Sequence, residues 1–311
     1  MKTQLLSTLA LMMLGCGSGG STSPDAAPDA PPDAAPLPRF DPLAGAGTVT
    51  LVQGGYMFTE GPQWREAEGD LVFSDIPANT VYRTVAGGAP VVLRMPSGNS
   101  NGLAVDGAGK LLAAEHGSRG ITRDGVTIAS MFEGKRLNSP NDVIAAADGT
   151  IYFTDPPYGI NNRPDELDFM GVFRLAPDGT LTAEHRGPLT ARPNGIGLSP
   201  DGKLLYVADT AVGKIYKFPV ETGGALGARA DFVTTSAGPD GLAIDTGGNV
   251  LVATSVGIEA FSPTGQRWGA IVTPMQPSNC AFGGADHKTL YITARNALYR
   301  VDLAHAGLPL R

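Results

Sequence analysis

The apolar positions of this chain come in short runs of about four to six residues, separated by turns rich in Gly, Pro, Asn and Asp. Such runs have the length of β-strands and are too short for ordinary helices. The 42 glycines and 25 prolines among 311 residues supply enough turns for many strands. The pattern therefore predicts an all-β protein.

The same pattern of apolar runs returns six times between residue 48 and the end of the chain, at intervals of 39 to 53 residues. Each unit has an apolar run, a turn, a second and a third run, and usually a less regular fourth. Four strands in a period of about 40 residues are typical of propeller blades. The units begin at Glu60, Asn101, Asn141, Asn194, Asp240 and Asn279. We predict a six-bladed β-propeller with four strands per blade.

The two ends of the repeat region are complementary. The last unit stops after its third strand, whereas residues 48–53 form a strand that belongs to no preceding unit. An unpaired edge strand invites aggregation, so pairing the two ends would protect both. We predict that residues 48–53 complete the sixth blade, within a propeller domain that spans residues 43–311.

The segment before the propeller has the pattern of an exported lipoprotein. Residues 1–15 have a basic start and an apolar run that is too short to span a membrane as an ordinary helix, as in a secretory signal. The ending Met13-Leu14-Gly15-Cys16 resembles a bacterial lipobox, in which the cysteine is lipidated. An ordinary signal peptide with an incidental Cys16 is the alternative.

Residues 16–42 would then form the lipidated Cys16 and its tether. Their Asp-Ala-Pro units cannot bury apolar surface and predict an extended spacer. We therefore expect an exported protein, lipid-anchored to the cell envelope at the outer membrane or the periplasmic face. Its only contact with a membrane would be the anchor. The other cysteine, Cys280, lies in an apolar run and is expected to be buried.

Charge narrows the range of partners. The formal net charge is −7 and no cluster of Lys or Arg appears, which argues against nucleic acid. The four histidines are scattered without the spacing of zinc ligands. Neither nucleic acid nor a structural zinc site is therefore expected.

Two similar tripeptides of the fourth unit occupy different positions in the repeat, and only one of them is a candidate for chemistry. Pro200-Asp201-Gly202 lies between the first and second strands of its unit and predicts a hairpin turn. Pro193-Asn194-Gly195 lies at the start of a first strand, which lines the channel of a propeller. The residues that share this position form the predicted ring: Glu60, Asn101, Asn141, Asn194, Asp240 and Asn279.

Such a ring of carboxylates and amides suits a hard, oxygen-seeking cation, and Ca²⁺ above all. Zn²⁺, Mg²⁺ and Mn²⁺ are the alternatives. The ring should lie at one mouth of the channel. The second strands should end at the same mouth, where they place Asp75, His116, Asp155 and Asp209.

The third unit carries an insertion after Asp155 that should cover the same mouth. The loop before that unit adds Lys135 and Arg136. Of the residues expected at the mouth, we predict that four bind the substrate: Asn101, His116, Arg136 and Asp155.

Motifs along residues 48–303 resemble the SMP-30/gluconolactonase/LRE family, which includes regucalcin and bacterial sugar lactonases. They occur in the family's order: FTEGPQW, LVFSDIPANTVYR, AAEHG, EGKRLNSPNDV, IYFTDPPYG, RPNGIGLSPDGKLLYVADT, GPDGLAID and LYITAR. The resemblance implies a six-bladed propeller and a divalent cation. The ligands that it implies are Glu60, Asn141, Asn194 and Asp240.

The resemblance also implies that Asp240 acts as the catalytic acid and base. One departure concerns substrate recognition, because Ser139 stands where animal members have a substrate-contacting Arg. Arg136 is the candidate replacement.

The function expected from these features is metal-assisted lactone hydrolysis. The cation would polarise the carbonyl, and Asp240 would take the proton of the attacking water and return it to the ring oxygen. Asp155 and His116 are alternative bases. The rival functions are another ester or phosphotriester hydrolase on the same scaffold, and a non-catalytic binding propeller.

Overall fold

The computed structural model describes residues 39–85 and 88–308, and these ranges contain 26 strands and no helix. No helix there is long and apolar enough to cross a bilayer. The predicted signal peptide, Cys16 and most of the predicted tether lie outside the described residues.

Six four-stranded antiparallel sheets follow one another along the chain; five consist of four consecutive strands, and the sixth takes its outer strand from the start of the propeller. Blade 1 contains β2 (Thr59–Arg65), β3 (Asp70–Asp75), β4 (Thr80–Val85) and β5 (Val91–Arg94), and blade 2 contains β6 (Ser100–Val105), β7 (Leu111–Glu115), β8 (Gly120–Arg123) and β9 (Val126–Ala129). Blade 3 contains β12 (Val143–Ala145), β13 (Ile151–Asp155), β14 (Met170–Leu175) and β15 (Leu181–Gly187). Blade 4 contains β16 (Pro193–Leu198), β17 (Leu204–Asp209), β18 (Lys214–Pro219) and β19 (Ala230–Thr234).

Blade 5 contains β20 (Leu242–Ile244), β21 (Val250–Thr254), β22 (Gly257–Phe261) and β23 (Arg267–Ile271). Blade 6 contains β24 (Asn279–Gly283), β25 (Thr289–Ala294), β26 (Ala297–Asp302) and, as its outer strand, β1 (Thr50–Gly54). A short hairpin of β10 (Met131–Phe132) and β11 (Lys135–Arg136) precedes blade 3. The predicted all-β, six-bladed propeller is confirmed.

The first strand of each blade touches the first strands of its two neighbours, so six inner strands surround a central channel. Strand β1 pairs antiparallel with β26, with Thr50 opposite Arg300 and Gly54 opposite Ala297. This pairing confirms that the strand before the first repeat closes the ring, and it joins the two ends of the propeller in one sheet.

The hydrophobic core lies between blades rather than within one layer. Successive side chains of a strand point to opposite faces, so each central strand feeds two neighbouring interfaces. Leu71 and Phe73 of β3 pack towards blade 6, whereas Val72 between them packs towards blade 2. The six buried clusters correspond to the six interfaces around the ring.

The two look-alike turns lie at opposite ends of a strand, as predicted. Asp201 accepts hydrogen bonds from the hydroxyl of Ser199 (2.6 Å) and the backbone of Lys203 (3.1 Å), and Gly202 takes the left-handed conformation that closes the β16–β17 hairpin. Asn194 instead lies at the start of β16, at the other end of the channel. The Asp201 turn is therefore structural, and Asn194 is available for chemistry.

Candidate functional site

The six predicted ring residues stand at or next to the starts of the inner strands. All are buried except Asp240, which is partly exposed. Their side chains lie close to those of neighbouring blades: Asn194 lies near Asp240, and Asn279 lies near Glu60. The structure thus brings residues of blades 1, 4, 5 and 6 to one mouth.

Close packing of neighbouring inner strands requires glycine after two of the ring residues. A Cβ on Gly241 would lie 1.9 Å from Cγ of Asn279, and one on Gly102 would lie 2.7 Å from the carbonyl oxygen of Asn141. Neither distance is compatible with a real side chain. The narrow ring therefore depends on the missing side chain at these positions.

Asp142 is a carboxylate of the mouth that sequence reasoning missed. Both of its oxygens accept from Nδ2 of Asn279 at 3.2 Å, which joins blade 3 to blade 6 across the channel. The position after the ring residue is Gly in four units, Cys in the sixth and Asp only in the third. This departure from glycine in the third unit is the sequence signal that could have identified Asp142 as a site residue.

Three carboxylates therefore share one buried space. Burial raises the pKa of Glu60 well above its usual value, and the charges of Asp240 and Asp142 raise it further. Burial raises the pKa of Asp240 to about 8, and the charge of Asp142 contributes to this rise. Burial also raises the pKa of Asp142, to about 7. The three groups cannot all be ionised at neutral pH without a compensating positive charge.

The donor atoms at the mouth fit a hard cation. Nδ2 of Asn194 donates to the Thr210 hydroxyl at 3.1 Å, which leaves the Asn194 oxygen for a ligand. Oδ1 of Asn101 is buried without a hydrogen-bond partner. No three His, Cys, Asp or Glu side chains form a metal centre by themselves within the described ranges. A cation here would therefore need amide oxygens as well as carboxylates, and oxygen ligands of this kind suit Ca²⁺.

The aspartates at the ends of the second strands hold loops. Asp75 accepts from the backbone of Met57 (2.9 Å) and Phe58 (3.1 Å), and Asp209 accepts from Arg192 (3.1 Å). In each case the loop leads into the first strand of the same blade. These contacts support a structural role for the two aspartates.

Asp155, a predicted substrate-binding residue, holds a loop in the same way. It is 0% exposed, and its Oδ2 accepts from the backbone of Asn138 at 2.8 Å. Burial raises the pKa of Asp155 to about 7. Its carboxylate therefore holds the loop before blade 3 in place.

His116, also predicted to bind substrate, lies directly beside the ring. Its Nε2 is 3.3 Å from Nδ2 of Asn101, and Gly159 of the insertion packs against its imidazole. Burial, with the positive charge of Arg163, lowers the pKa of His116 to about 4. A neutral His116 can accept the Asn101 amide hydrogen, which points the Asn101 oxygen elsewhere.

The insertion between β13 and β14 covers one side of the mouth, as predicted. Under it lies a pocket of about 370 Å³, large enough for a small ligand. Tyr158 lines this pocket, with 42% of its surface exposed, and its hydroxyl lies near Thr210, Asn194 and Asp240. The pocket therefore borders the ring. Its lining includes Asn99, His116, Tyr158, Gly159, Asn161 and Arg163.

The arginine that lines this pocket is Arg163, whereas the predicted Arg136 lies outside the lining. Arg136 is exposed and donates to the carbonyl of Ser118. Ser139 is buried, donates to the Pro156 carbonyl at 2.6 Å and accepts from the Gly159 backbone at 2.8 Å. Ser139 thus fastens the insertion instead of facing a ligand.

The chain is similar to known lactonases along most of its length. The model of the family described as "SMP-30/Gluconolactonase/LRE-like region" matches residues 58–296. A gluconolactonase of Zymomonas mobilis is 35% identical, over 85% of this chain and 84% of that protein. The solved structure of a Xanthomonas campestris gluconolactonase is 36% identical, with a TM-score of 0.78 over 90% of this chain and 98% of that one.

A more distant structure shares the fold. The calcium-binding protein regucalcin from Agrobacterium tumefaciens superposes with a TM-score of 0.70 at 20% identity, covering 86% of this chain and 97% of that one.

The raised carboxylate pKa values predict how pH and cations affect stability. A carboxyl group whose pKa is raised by folding binds more protons in the folded state, so stability falls as pH rises towards the folded pKa. Without divalent ions, the melting temperature should therefore fall between pH 6.5 and 8.5. The lowered pKa of His116 acts in the opposite direction, but only below about pH 6.5. Added Ca²⁺ should raise the melting temperature more at pH 8.5 than at pH 6.5.

Differential scanning calorimetry in EDTA and in Ca²⁺ measures both effects. Ca²⁺ at about 100 times its dissociation constant should add about 2.7 kcal/mol of stability. Glu60→Gln removes one repelling charge, so it should raise the melting temperature of the ion-free protein at pH 8.5 and reduce the Ca²⁺ effect. Equal Ca²⁺ effects in Glu60→Gln and the wild type would contradict this interpretation of the mouth.

Proposed function

The chain belongs to the SMP-30/gluconolactonase/LRE-like family and is a lactone-hydrolysing enzyme; we propose that it opens a sugar lactone such as gluconolactone to the aldonic acid, assisted by one divalent cation. The observation that carries this proposal is the cluster of buried carboxylates and amides beside the 370 Å³ pocket. The two gluconolactonases of similar sequence support the choice of a sugar lactone as substrate.

Glu60, Asn141, Asn194 and Asp240 would hold the cation. They supply two carboxylates and two amides from blades 1, 3, 4 and 5, and the mutual repulsion of the carboxylates favours a positive charge among them. Ca²⁺ is our first choice, supported by the calcium-binding structural relative, and Zn²⁺, Mg²⁺ or Mn²⁺ could replace it. When bound, the cation would polarise the lactone carbonyl and stabilise negative charge on its oxygen.

Asp240 is the proposed general base. Asp240 is a partly exposed residue, whereas Asp155 is fully buried, and Asp240 lies near Tyr158, which lines the pocket. Water held there can give its proton to Asp240, which then returns the proton to the ring oxygen as the ester bond opens. Asn194 orients the Asp240 carboxylate through its amide.

Asn101 and His116 would orient the substrate rather than transfer protons. The imidazole of His116 fixes the amide of Asn101, whose buried oxygen has no other partner. That oxygen can accept a hydroxyl hydrogen from a sugar. The Tyr158 ring, exposed above the mouth, can pack against the sugar ring.

Proton release from glucono-1,5-lactone, followed in a pH-stat with Ca²⁺ and then with EDTA, tests the proposal. We expect turnover that EDTA abolishes and that Asp240→Asn lowers by about 100-fold or more, the size expected for loss of a general base. Asp201→Asn is the matched control, because Asp201 lies in a hairpin at the other end of the channel. It should leave turnover unchanged.

A folded wild type with no turnover of any lactone, with any of the four cations, would contradict the proposal. Full activity of Asp240→Asn would be compatible with lactone hydrolysis but would contradict the role of Asp240 as the general base.

We propose separately that Cys16 is lipidated and anchors the protein to the cell envelope after export. The support comes from the sequence alone: the lipobox-like ending at Cys16 and the Pro- and Ala-rich segment that follows it. A spacer of this composition would hold the propeller away from the membrane surface.

Expression of the full chain in a bacterium, followed by membrane fractionation and mass analysis, tests the anchor. The wild type should fractionate with membranes and begin at an acylated Cys16. Cys16→Ser should not be acylated and should leave the membrane fraction. An unmodified wild type, or identical fractionation of both proteins, would contradict the anchor.

A further inference from the structure

Arg163 lines the pocket under the insertion, together with Asn161 and His116. Its guanidinium donates to the carbonyls of His116 (2.8 Å), Gly117 (3.1 Å) and Ile160 (3.1 Å), and to that of Gly159. Four of its five N–H groups are thereby used, so the guanidinium is held in place and one N–H of Nη1 remains. A group fixed in this way binds a ligand with little further loss of side-chain freedom.

The charges around Arg163 are positive. Burial lowers its pKa, and the nearby guanidiniums of Arg119 and Arg136 lower it further. Glu166, the acid next to these arginines, is already engaged: it pairs with Arg119 at 3.3 Å and accepts from the backbone of Arg136 at 2.9 Å. Throughout residues 39–85 and 88–308, no carboxylate oxygen comes within 4.0 Å of the Arg163 guanidinium.

This concentration of positive charge contrasts with the protein as a whole, whose formal net charge is −7. The insertion also carries Asp165 and Asp168, but both are exposed to solvent and neither lines the pocket. The pocket thus extends from Tyr158 and His116, which lie next to Asp240 and Asn101 of the ring, to an arginine without an acidic partner. A ligand that fits both ends would place its reacting ester at the ring and a negative charge at Arg163.

We propose that the pocket selects sugar lactones that carry an anionic substituent, such as a phosphate, sulfonate or carboxylate, at the end away from the ester. This inference rests on the proposed function and specifies its substrate class. Arg163 binds the anion through its remaining N–H and its charge, and the neutral amide of Asn161, which lines the same wall, adds a further donor. A neutral lactone lacks this contact.

Turnover of glucono-1,5-lactone and of its 6-phosphate by the full-length protein gives the first test. We expect kcat/KM to be about tenfold or more higher for the 6-phosphate, the size of one charge-assisted hydrogen bond, and to lose this preference in Arg163→Met. High salt should weaken the preference in the wild type. Arg83→Met, a half-exposed arginine on the third strand of blade 1, is the matched control and should keep the preference.

Arg163 also fastens the insertion, so Arg163→Met should slow turnover of both lactones to some degree. The ratio of the two kcat/KM values separates recognition from loosening, because a loosened loop lowers both together. An equal kcat/KM for the two lactones in the wild type, or an undiminished preference in Arg163→Met, would overturn the inference.

Binding of the reaction products gives a second test that does not need turnover. In calorimetric titrations with Ca²⁺ present, 6-phosphogluconate and glucarate should bind more tightly than gluconate, and Arg163→Met should remove the difference. Comparison of the dissociation constants of 6-phosphogluconate and glucarate shows whether a phosphate or a carboxylate is preferred. Equal binding of all three by the wild type would overturn the inference even if lactones are hydrolysed, whereas failure of every lactone to react would contradict the proposed function alone.

Discussion

The repulsion between carboxylates at the channel mouth is the constraint on which the proposed chemistry depends. Glu60, Asp142 and Asp240 lie on three different blades, and the ring brings them close together, with Glu60 and Asp142 buried and Asp240 partly exposed. Proteins rarely bury like charges without a compensating partner. Asn279 donates to the Asp142 carboxylate, whereas Asn194 donates to Thr210 and keeps its oxygen for a cation. Protonation or a cation can relieve the repulsion, and only the cation also supplies a catalytic charge.

The rest of the fold holds this cluster rigid. Six apolar interfaces fix the blades relative to one another, and the pairing of β1 with β26 prevents the ring from opening. At the mouth, Gly102 and Gly241 let neighbouring strands approach closely enough for side chains to meet across the channel. A functional site formed by strand starts is held more precisely than one formed by loops. The insertion then adds the part of the site in which family members can differ, because loops tolerate change.

Much of the fold followed from the sequence because a propeller repeats itself. The six units, the closing strand and the ring position of Glu60, Asn194 and Asp240 all depend on a period that is visible in one sequence. Asp142 was missed because it follows the ring position and takes the place that glycine holds in four other units. The repeat pattern marks equivalent positions, and an exception can be seen only by comparing the units residue by residue.

Tyr158 and Arg163 could not be predicted for a different reason. Both lie in the insertion, which has no counterpart in the other units, so no period assigns them a direction. Arg136 was favoured because its loop approaches the mouth, yet the carbonyl of Ser118 takes its guanidinium, while Arg163 lines the pocket. Asp155 shares its strand-end position with Asp75 and Asp209, and hydrogen bonds to loop backbone determine the orientation of all three. Such competition between backbone and ligand for a polar side chain is decided by local geometry.

An anomalous difference map from crystals grown with Ca²⁺ or Mn²⁺ shows directly whether the channel mouth binds a cation. We expect one strong peak there, with oxygens of Glu60, Asn141, Asn194 and Asp240 at about 2.3–2.6 Å for Ca²⁺. A mouth without a peak at saturating cation, or a peak bound by other residues, would contradict the account.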